Sequence, residues 1–347
     1  MPSAICLLLN AKTLAMDPLE FVSGITDRIT TWYSEYDLTV SQLFLTVTAF
    51  LVGVVPLLIY TLERNRRNGS NSALALPPAT EIVALYTYPI KSCRGIKLKA
   101  GKLFKTGLEL DRQWMFVDAE KHQFLTIRQN SKMTLINTAI SADDELVVTI
   151  KGSDVQIIIP AHPTDEWLKA NTKLVPCKVW SDSVDGWEYD PALMKGFSEF
   201  FGQEVRLLRK GPSPRILRGN GAPSRLGREE HVGFADLMPV LVASESSIAE
   251  FNMRLTEDGE EAITIERFRP NIIVQGTLPW EEDNWKTIRL IYPGSDKDGD
   301  AIKWLTLDVV AHCGRCQVPN VNPETAEKHK REPWNHLMSY RRVSHDS

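Results

Sequence analysis

The chain has 347 residues, 43% of them hydrophobic and 24% charged, with a formal net charge of -4. That length can hold two compact domains with a sizeable core, and the slight acidic excess argues against a nucleic-acid binder. Five cysteines in so long a chain exclude a disulfide framework; Cys6, Cys93, Cys177, Cys313 and Cys316 read as a reduced, cytosol-facing set.

Residues 1–37 show some apolar periodicity between Phe21 and Trp32 but too few basic residues for an Arg-rich transit peptide. From Leu38 to Leu62 no charged residue occurs. Roughly 20 apolar residues suffice to span a bilayer core, and Pro56 within the run is better tolerated in a membrane helix than in a soluble one. The run is longer than a signal-peptide core and begins late, and no polar face interrupts it. Residues 38–62 are therefore expected to form a transmembrane anchor. Glu35 and Asp37 precede it, while Arg64, Arg66 and Arg67 follow. Basic residues favour the cytosolic side, so the larger C-terminal part is expected there. Residues 63–79, polar and then Pro-containing, read as a linker.

Past the linker the chain is mostly short β-prone runs: Ile82 to Tyr86, Trp114 to Val117, Leu146 to Ile150, Val155 to Ile159 and Lys178 to Trp180. Pro191 to Phe201 reads as helical, with Leu193, Phe197, Phe200 and Phe201 on its apolar side. A second helix is expected from Ser244, ahead of Ile248, Phe251 and Leu255. Strand patterns return at Ile272 to Val274, Thr287 to Tyr292 and Ile302 to Val310. The class is α+β, rich in β, without repeats.

The most informative stretch follows: His312-Cys313-Gly314-Arg315-Cys316, then Gln317-Val318-Pro319-Asn320-Val321-Asn322-Pro323. A guanidinium beside a thiol favours the thiolate, the form that acts as nucleophile or metal ligand. The Asn-x-Asn-Pro segment reads as a tight turn, so Cys316 is expected where a strand gives way to a turn. Several readings compete. Buried cysteines behave as small hydrophobes. A closed zinc site needs four ligands, and no second Cys pair exists. A dithiol switch lacks the βαβ context of thioredoxin-like motifs. One thiolate on a soft transition metal fits the chemistry. The motif alone leaves these open.

Further blocks carry a resemblance. Tyr88-Pro89-Ile90-Lys91-Ser92-Cys93-Arg94-Gly95, Asp111-Arg112-Gln113-Trp114-Met115, Thr126-Ile127-Arg128-Gln129, Arg267-Phe268-Arg269-Pro270-Asn271-Ile272 and Gly314-Arg315-Cys316 occur in that order between about residues 82 and 342. Together they resemble the MOSC family, named for the C-terminal domain of molybdenum cofactor sulfurase. The resemblance implies a MOSC N-terminal β-barrel-like domain over 80–205 and a MOSC β-barrel domain over 206–347, with the cofactor between them. Members usually continue past the Ser339-Tyr340-Arg341 stretch with further strand-forming sequence, so the second domain is expected to be C-terminally shortened.

The resemblance also implies the site. Cys316 becomes the only protein thiolate on molybdenum, and Lys91, Ser92, Arg112, Arg128, Arg269, Asn271, Gly314 and Arg315 the residues that grip the molybdenum cofactor (Mo-molybdopterin). A lysine can act as a point charge on phosphate and a guanidinium as a fork; without the resemblance each would be a surface lysine or ion pair. Cys93 and Cys313 stay outside the metal's shell. Asp236 resembles a loop near the family's pocket but serves equally as a turn or cap residue. Arg215, Arg218, Arg225 and Arg228 form a basic loop that reads as a docking patch for an acidic electron donor or as a solvated loop. The implied function is reduction of small N-hydroxylated substrates, with electrons from a b-type cytochrome and its NADH-dependent flavin reductase, at the mitochondrial outer membrane or an endomembrane. No G-x-G-x-x-G is present, which fits a chain that does not bind NADH. The alternatives are sulfur transfer, as in the sulfurase, whose upstream pyridoxal-phosphate domain finds no room here, and cofactor carriage without reductase activity.

Overall fold

The computed structural model describes residues 79–292, 303–314 and 316–341, together with scattered helical residues between 26 and 55. The chain divides into two units, Met1–Ala79 and Thr80–Ser347. Most of the expected membrane span 38–62 lies outside the described residues; within it, Phe50–Val54 forms a π-helical turn. Among the described residues no helix is long and apolar enough to cross a membrane.

The described residues of the second unit form fifteen short strands: β1 Ile82–Thr87, β2 Ile96–Leu98, β3 Leu103–Phe104, β4 Gly107–Leu108, β5 Trp114–Asp118, β6 Ile136–Ile140, β7 Glu145–Ile150, β8 Gln156–Pro160, β9 Lys173–Val179, β10 Asp182–Glu188, β11 Val205–Lys210, β12 Val242–Ser244, β13 Ile272–Val274, β14 Thr287–Tyr292 and β15 Lys303–Asp308. They form sheets in the orders β12-β13-β1-β2, β5-β11-β10-β9, β6-β7-β8, β3-β4 and β14-β15. The expected β-rich α+β class is what forms, but the expected closed barrels do not. Among the described residues the sheets stay open, because β14 and β15 pair only with each other and no strand carries their ladder to the β12-β13-β1-β2 sheet.

The core follows the period-2 rule of strands. Leu146, Val148 and Ile150 of β7, Ile136 of β6 and Ile157 and Ile159 of β8 point into one cluster. Strand β5 is buried on both faces. Trp114 and Phe116 enter that first cluster, while Met115 and Val117 enter a second with Val179, Leu208 and Phe234. Alternate side chains of a strand face opposite ways, so β5 is the wall between two cores, and its N-terminal end opens onto the site. The helix expected from Pro191 begins as a 3-10 turn, Pro191–Met194, and continues as Lys195–Phe201. The helix expected from Ser244 spans Glu245–Glu257 and buries Phe251 and Leu255 against Leu337.

Candidate functional site

The site begins where β1 ends. The loop Tyr88–Lys91 lies beside the Asp111–Trp114 segment and is stitched to it by backbone hydrogen bonds. Arg112 N donates to Tyr88 O at 2.8 Å, Trp114 N to Pro89 O at 3.0 Å, and Lys91 N to Trp114 O at 2.7 Å. Phe234 N donates to Arg112 O at 2.8 Å, adding a third strand of chain. Ser92, Arg112 and Arg269 have φ of 70°, 48° and 59°. Positive φ is uncommon outside glycine and gathers at functional sites.

Asp111 organises this region. Its side chain is 1% exposed. Oδ1 accepts from Tyr88 N at 2.9 Å, from Asn271 Nδ2 at 2.8 Å and from Arg112 Nη1 at 2.7 Å. Arg112 also donates to Asn271 Oδ1 at 3.2 Å and to Arg269 O at 3.1 Å. Asn271 ties in β1 and the segment before β12: it donates to Tyr86 O at 3.1 Å and accepts from Leu241 N at 3.1 Å. Arg112 and Asn271, two of the expected cofactor residues, are thus committed to a buried carboxylate.

Arg269 differs. Its Nη1 donates to Cys93 O at 2.5 Å, and among the described residues it has no carboxylate partner, while Nη2 is buried without a hydrogen bond. Burial, and then the neighbouring Arg112 charge, push the guanidinium down to about 10. Arg269 and Arg112 lie 4.3 and 4.4 Å from the centroid of one ring, Tyr88. Burial pushes the Tyr88 phenol up to about 12, and its hydroxyl is also buried and unpaired. Gly95 permits this stacking, since a Cβ there would stand 2.5 Å from Tyr88 Cε1. Two unpaired donors, one of them cationic, fit an anion: guanidinium forks match phosphate oxygens.

Lys91 is 4% exposed. It donates to Phe234 O at 2.8 Å and pairs with Asp236. Burial pushes its ammonium down to about 8, against the pull of Asp236. For Asp236, whose side chain is only partly covered, the loss of hydration works upward, but the Lys91 charge and hydrogen bonds from Lys91 and Trp180 outweigh it and hold the carboxyl at about 2. Trp180 Nε1 donates to Asp236 Oδ1 at 3.0 Å, and Arg128 lies 4.6 Å from the Trp180 ring centroid. Arg128 is therefore exposed at the rim and shares no hydrogen bond with the Arg112 network.

The expected metal ligand lies in a different setting from the one anticipated. Strand β15 ends at Asp308, and residues 309–314 carry no regular secondary structure, so no strand runs directly up to Cys316. The 3-10 turn Val318–Asn320 follows it. That turn is anchored on the same elements as the cation cluster. Val318 packs on the core holding Ile90 and Cys93, and Arg267 Nη1 donates to Pro319 O at 3.3 Å. Glu324 is held by Arg94 and by Lys151, whose Nζ lies 2.7 Å from Oε2. Gly314 and Cys313 are exposed, Cys316 is partly so, and Arg315 lies outside the described residues. Among the described residues no group of three or more His, Cys, Asp or Glu could hold a metal ion.

The basic loop is largely neutralised from within. Arg215 is buried on Asp182 at 2.7 Å and donates to Gly233 O at 3.1 Å and Asp236 O at 3.2 Å, so it holds the Asp236 loop in place. Arg218 pairs with Asp182 at 2.6 Å and Arg228 with Glu230 and Asp308 at 2.9 and 2.8 Å. Arg225 donates to the neutral Asn220 Oδ1 instead and has no carboxylate partner among the described residues. Sequence reasoning does not single out Asp111, Tyr88 or Trp180; Asp111 and Tyr88 stand inside the quoted blocks, whereas Trp180 carries no local signal.

Residues 79–204 match the model of the MOSC N-terminal beta barrel domain, and residues 229–346 that of the MOSC domain. Mitochondrial amidoxime reducing component 2 of Bos taurus is 28% identical over 262 residues, covering 74% of this chain and 71% of that protein. Mitochondrial amidoxime-reducing component 1 of Homo sapiens is 26% identical over 265 residues, covering 75% and 72%. Molybdenum cofactor sulfurase of Arabidopsis thaliana is 28% identical over 288 residues, covering 77% of this chain but 32% of that protein.

Proposed function

Since this chain belongs to the MOSC-domain family, we propose that it holds the molybdenum cofactor at the Tyr88–Arg112–Arg269 cluster and reduces N-hydroxylated substrates of the amidoxime or N-oxide type. The observation that carries the reading is the buried, unpaired Nη2 of Arg269, a guanidinium left without an anion. In this reading Arg269 grips the cofactor's phosphate directly. Arg112, itself held by Asn271 Oδ1, keeps the Arg269 backbone and the Tyr88 ring in place, with Lys91, Ser92, Arg128, Gly314 and Arg315 completing the cradle. Cys316 supplies the thiolate. Bound molybdenum supplies two-electron redox chemistry, and the net change is R–NH–OH plus two electrons and two protons giving R–NH2 and water.

The electrons are proposed to come from a b-type cytochrome and its NADH-dependent flavin reductase. Residues 38–62 are proposed to anchor the chain in the mitochondrial outer membrane or an endomembrane, with the catalytic unit in the cytosol. A second reading, sulfur transfer to the cofactor or cofactor binding alone, is favoured by the 28% identity to the plant sulfurase. Metal analysis of the purified chain, with an amidoxime reductase assay driven by a chemical electron donor, separates them. Bound molybdenum with turnover supports the reductase, and bound molybdenum without turnover supports the second reading. Absence of molybdenum after expression in a cofactor-competent host rejects both.

A further inference from the structure

Val179 pairs with Asp182, so Trp180 and Ser181 form a two-residue hairpin turn between β9 and β10. Trp180 has φ of 56°. This position in such a turn ordinarily goes to Gly or Asn, because a bulky side chain is disfavoured in the left-handed region. Burial does not compensate for the strain, since 44% of the residue's surface is open. The ring is nonetheless fixed. Its N–H donates to Asp236 Oδ1 at 3.0 Å, Phe124 meets it at 67° with centroids 4.9 Å apart, and Arg128 lies over it. Asp236 Oδ1 is taken by Trp180 and Lys91. Among the described residues Oδ2 accepts no hydrogen bond, and the side chain is 62% exposed. Beside the buried Lys91 there is therefore a strained, partly exposed, immobilised indole and, among the described residues, a carboxylate with one acceptor free. Strained residues of this kind gather at functional sites.

Resting on the reductase reading above, we propose that Trp180 determines substrate specificity: a planar, conjugated N-hydroxylated compound packs against the part of the indole that Arg128 and Phe124 leave exposed and donates an N–H or O–H to Asp236 Oδ2. The carboxylate accepts as an anion across the neutral range, because its pKa is held at about 2. Arg128 and Phe124 fix the ring before the ligand arrives, which lowers the ordering cost of binding.

The test uses the full chain loaded with molybdenum and two probes, benzamidoxime and acetamidoxime, which share the reacting group and differ in the ring. Trp180→Ala is expected to raise the KM of benzamidoxime relative to that of acetamidoxime by roughly two- to tenfold, the range of an aromatic stacking contact. The ratio of their dissociation constants, measured by calorimetry without any electron donor, rises by the same factor. Trp180→Phe restores most of the preference. Trp180→Gly, whose backbone accepts this turn, melts no lower than Trp180→Ala and shows the same loss. If wild type binds and reduces both probes but the ratios are unchanged in the Ala and Gly variants, the platform is wrong and the reductase reading stands. If wild type neither binds nor reduces either probe, both fail.

Discussion

Arg112 and Arg269 flank one tyrosine, yet neutralising them should have opposite effects on the apo-protein. The Arg269 guanidinium falls from 12.5 to about 10. At about 1.4 kcal/mol per pKa unit, its charge is disfavoured by roughly 3 kcal/mol. Arg269→Met removes that strain. It also forfeits the hydrogen bond to Cys93 O, about 1 kcal/mol, and the contact with the Tyr88 ring, about 1 kcal/mol. The apo-variant should therefore be as stable as wild type or more stable by about 1 kcal/mol. Arg112→Met instead leaves Asp111, 1% exposed, without its cation. Removing one partner of a buried pair costs about 3–5 kcal/mol. Urea unfolding of the two cofactor-free variants measures the difference directly. Both should purify with less molybdenum. Loss of one charge-assisted hydrogen bond worth about 1.5–3 kcal/mol lowers retention roughly ten- to a hundredfold. If Arg269→Met destabilises the apo-protein as much as Arg112→Met, or keeps full molybdenum occupancy, Arg269 is a structural arginine and the anion site is elsewhere.

Lys91 titrates at about 8 in the fold, against 10.5 when unfolded. Between those values the unfolded chain holds a proton that the folded chain has released, so apo stability should rise with pH. Lys91→Met should flatten that slope in urea titrations. Molybdenum retention should move the other way, falling on dialysis above about pH 8 as the ammonium is lost, with Lys91→Arg abolishing the fall. Asp236, held at about 2 against 3.8, contributes stability that is complete above pH 4 and lost as pH falls toward 2; an unchanged acid limb in Asp236→Asn would contradict the Lys91 pair. Cys316→Ser should retain the pterin, read by its fluorescence after release, and lose turnover. The reverse pattern, with Cys313→Ser inactive and Cys316→Ser active, would move the ligand. Deletion of residues 1–67 should leave a soluble fragment that binds the cofactor, and protease outside intact organelles should digest the C-terminal unit of the full chain. Protection of that unit would reverse the orientation argued from Arg64, Arg66 and Arg67.

Strands built on apolar, β-branched runs are legible in the amino-acid sequence. Leu146 to Ile150, Ile272 to Val274 and Thr287 to Tyr292 stand out as β-branched runs, and the helix at Glu245–Glu257 through Ile248, Phe251 and Leu255. Strands β10 and β11 do not, because Asp182, Asp185, Arg206 and Arg209 break the apolar run. Arg206 is met by neighbouring Glu204, but other partners arrive from farther along the chain: Arg215 on Asp182, and the Trp114 ring under Arg209.

The same division holds for the site. The order and residue types of the five blocks identify the family, because each block is short and contiguous. Which cation is spent and which is spare cannot be read there. Asp111 meets Arg112 next door, but it is Asn271, 160 positions on, that locks the pair. Lys91 finds Asp236 145 positions away. Arg269, alike in charge and in its place beside Tyr88, reaches only the carbonyl of Cys93 among the described residues and keeps one N–H unpaired there. Residue type sets what a side chain can bind, whereas the pairing of buried charges depends on which partners the fold brings within a few ångströms, and at that distance burial makes each pairing decisive.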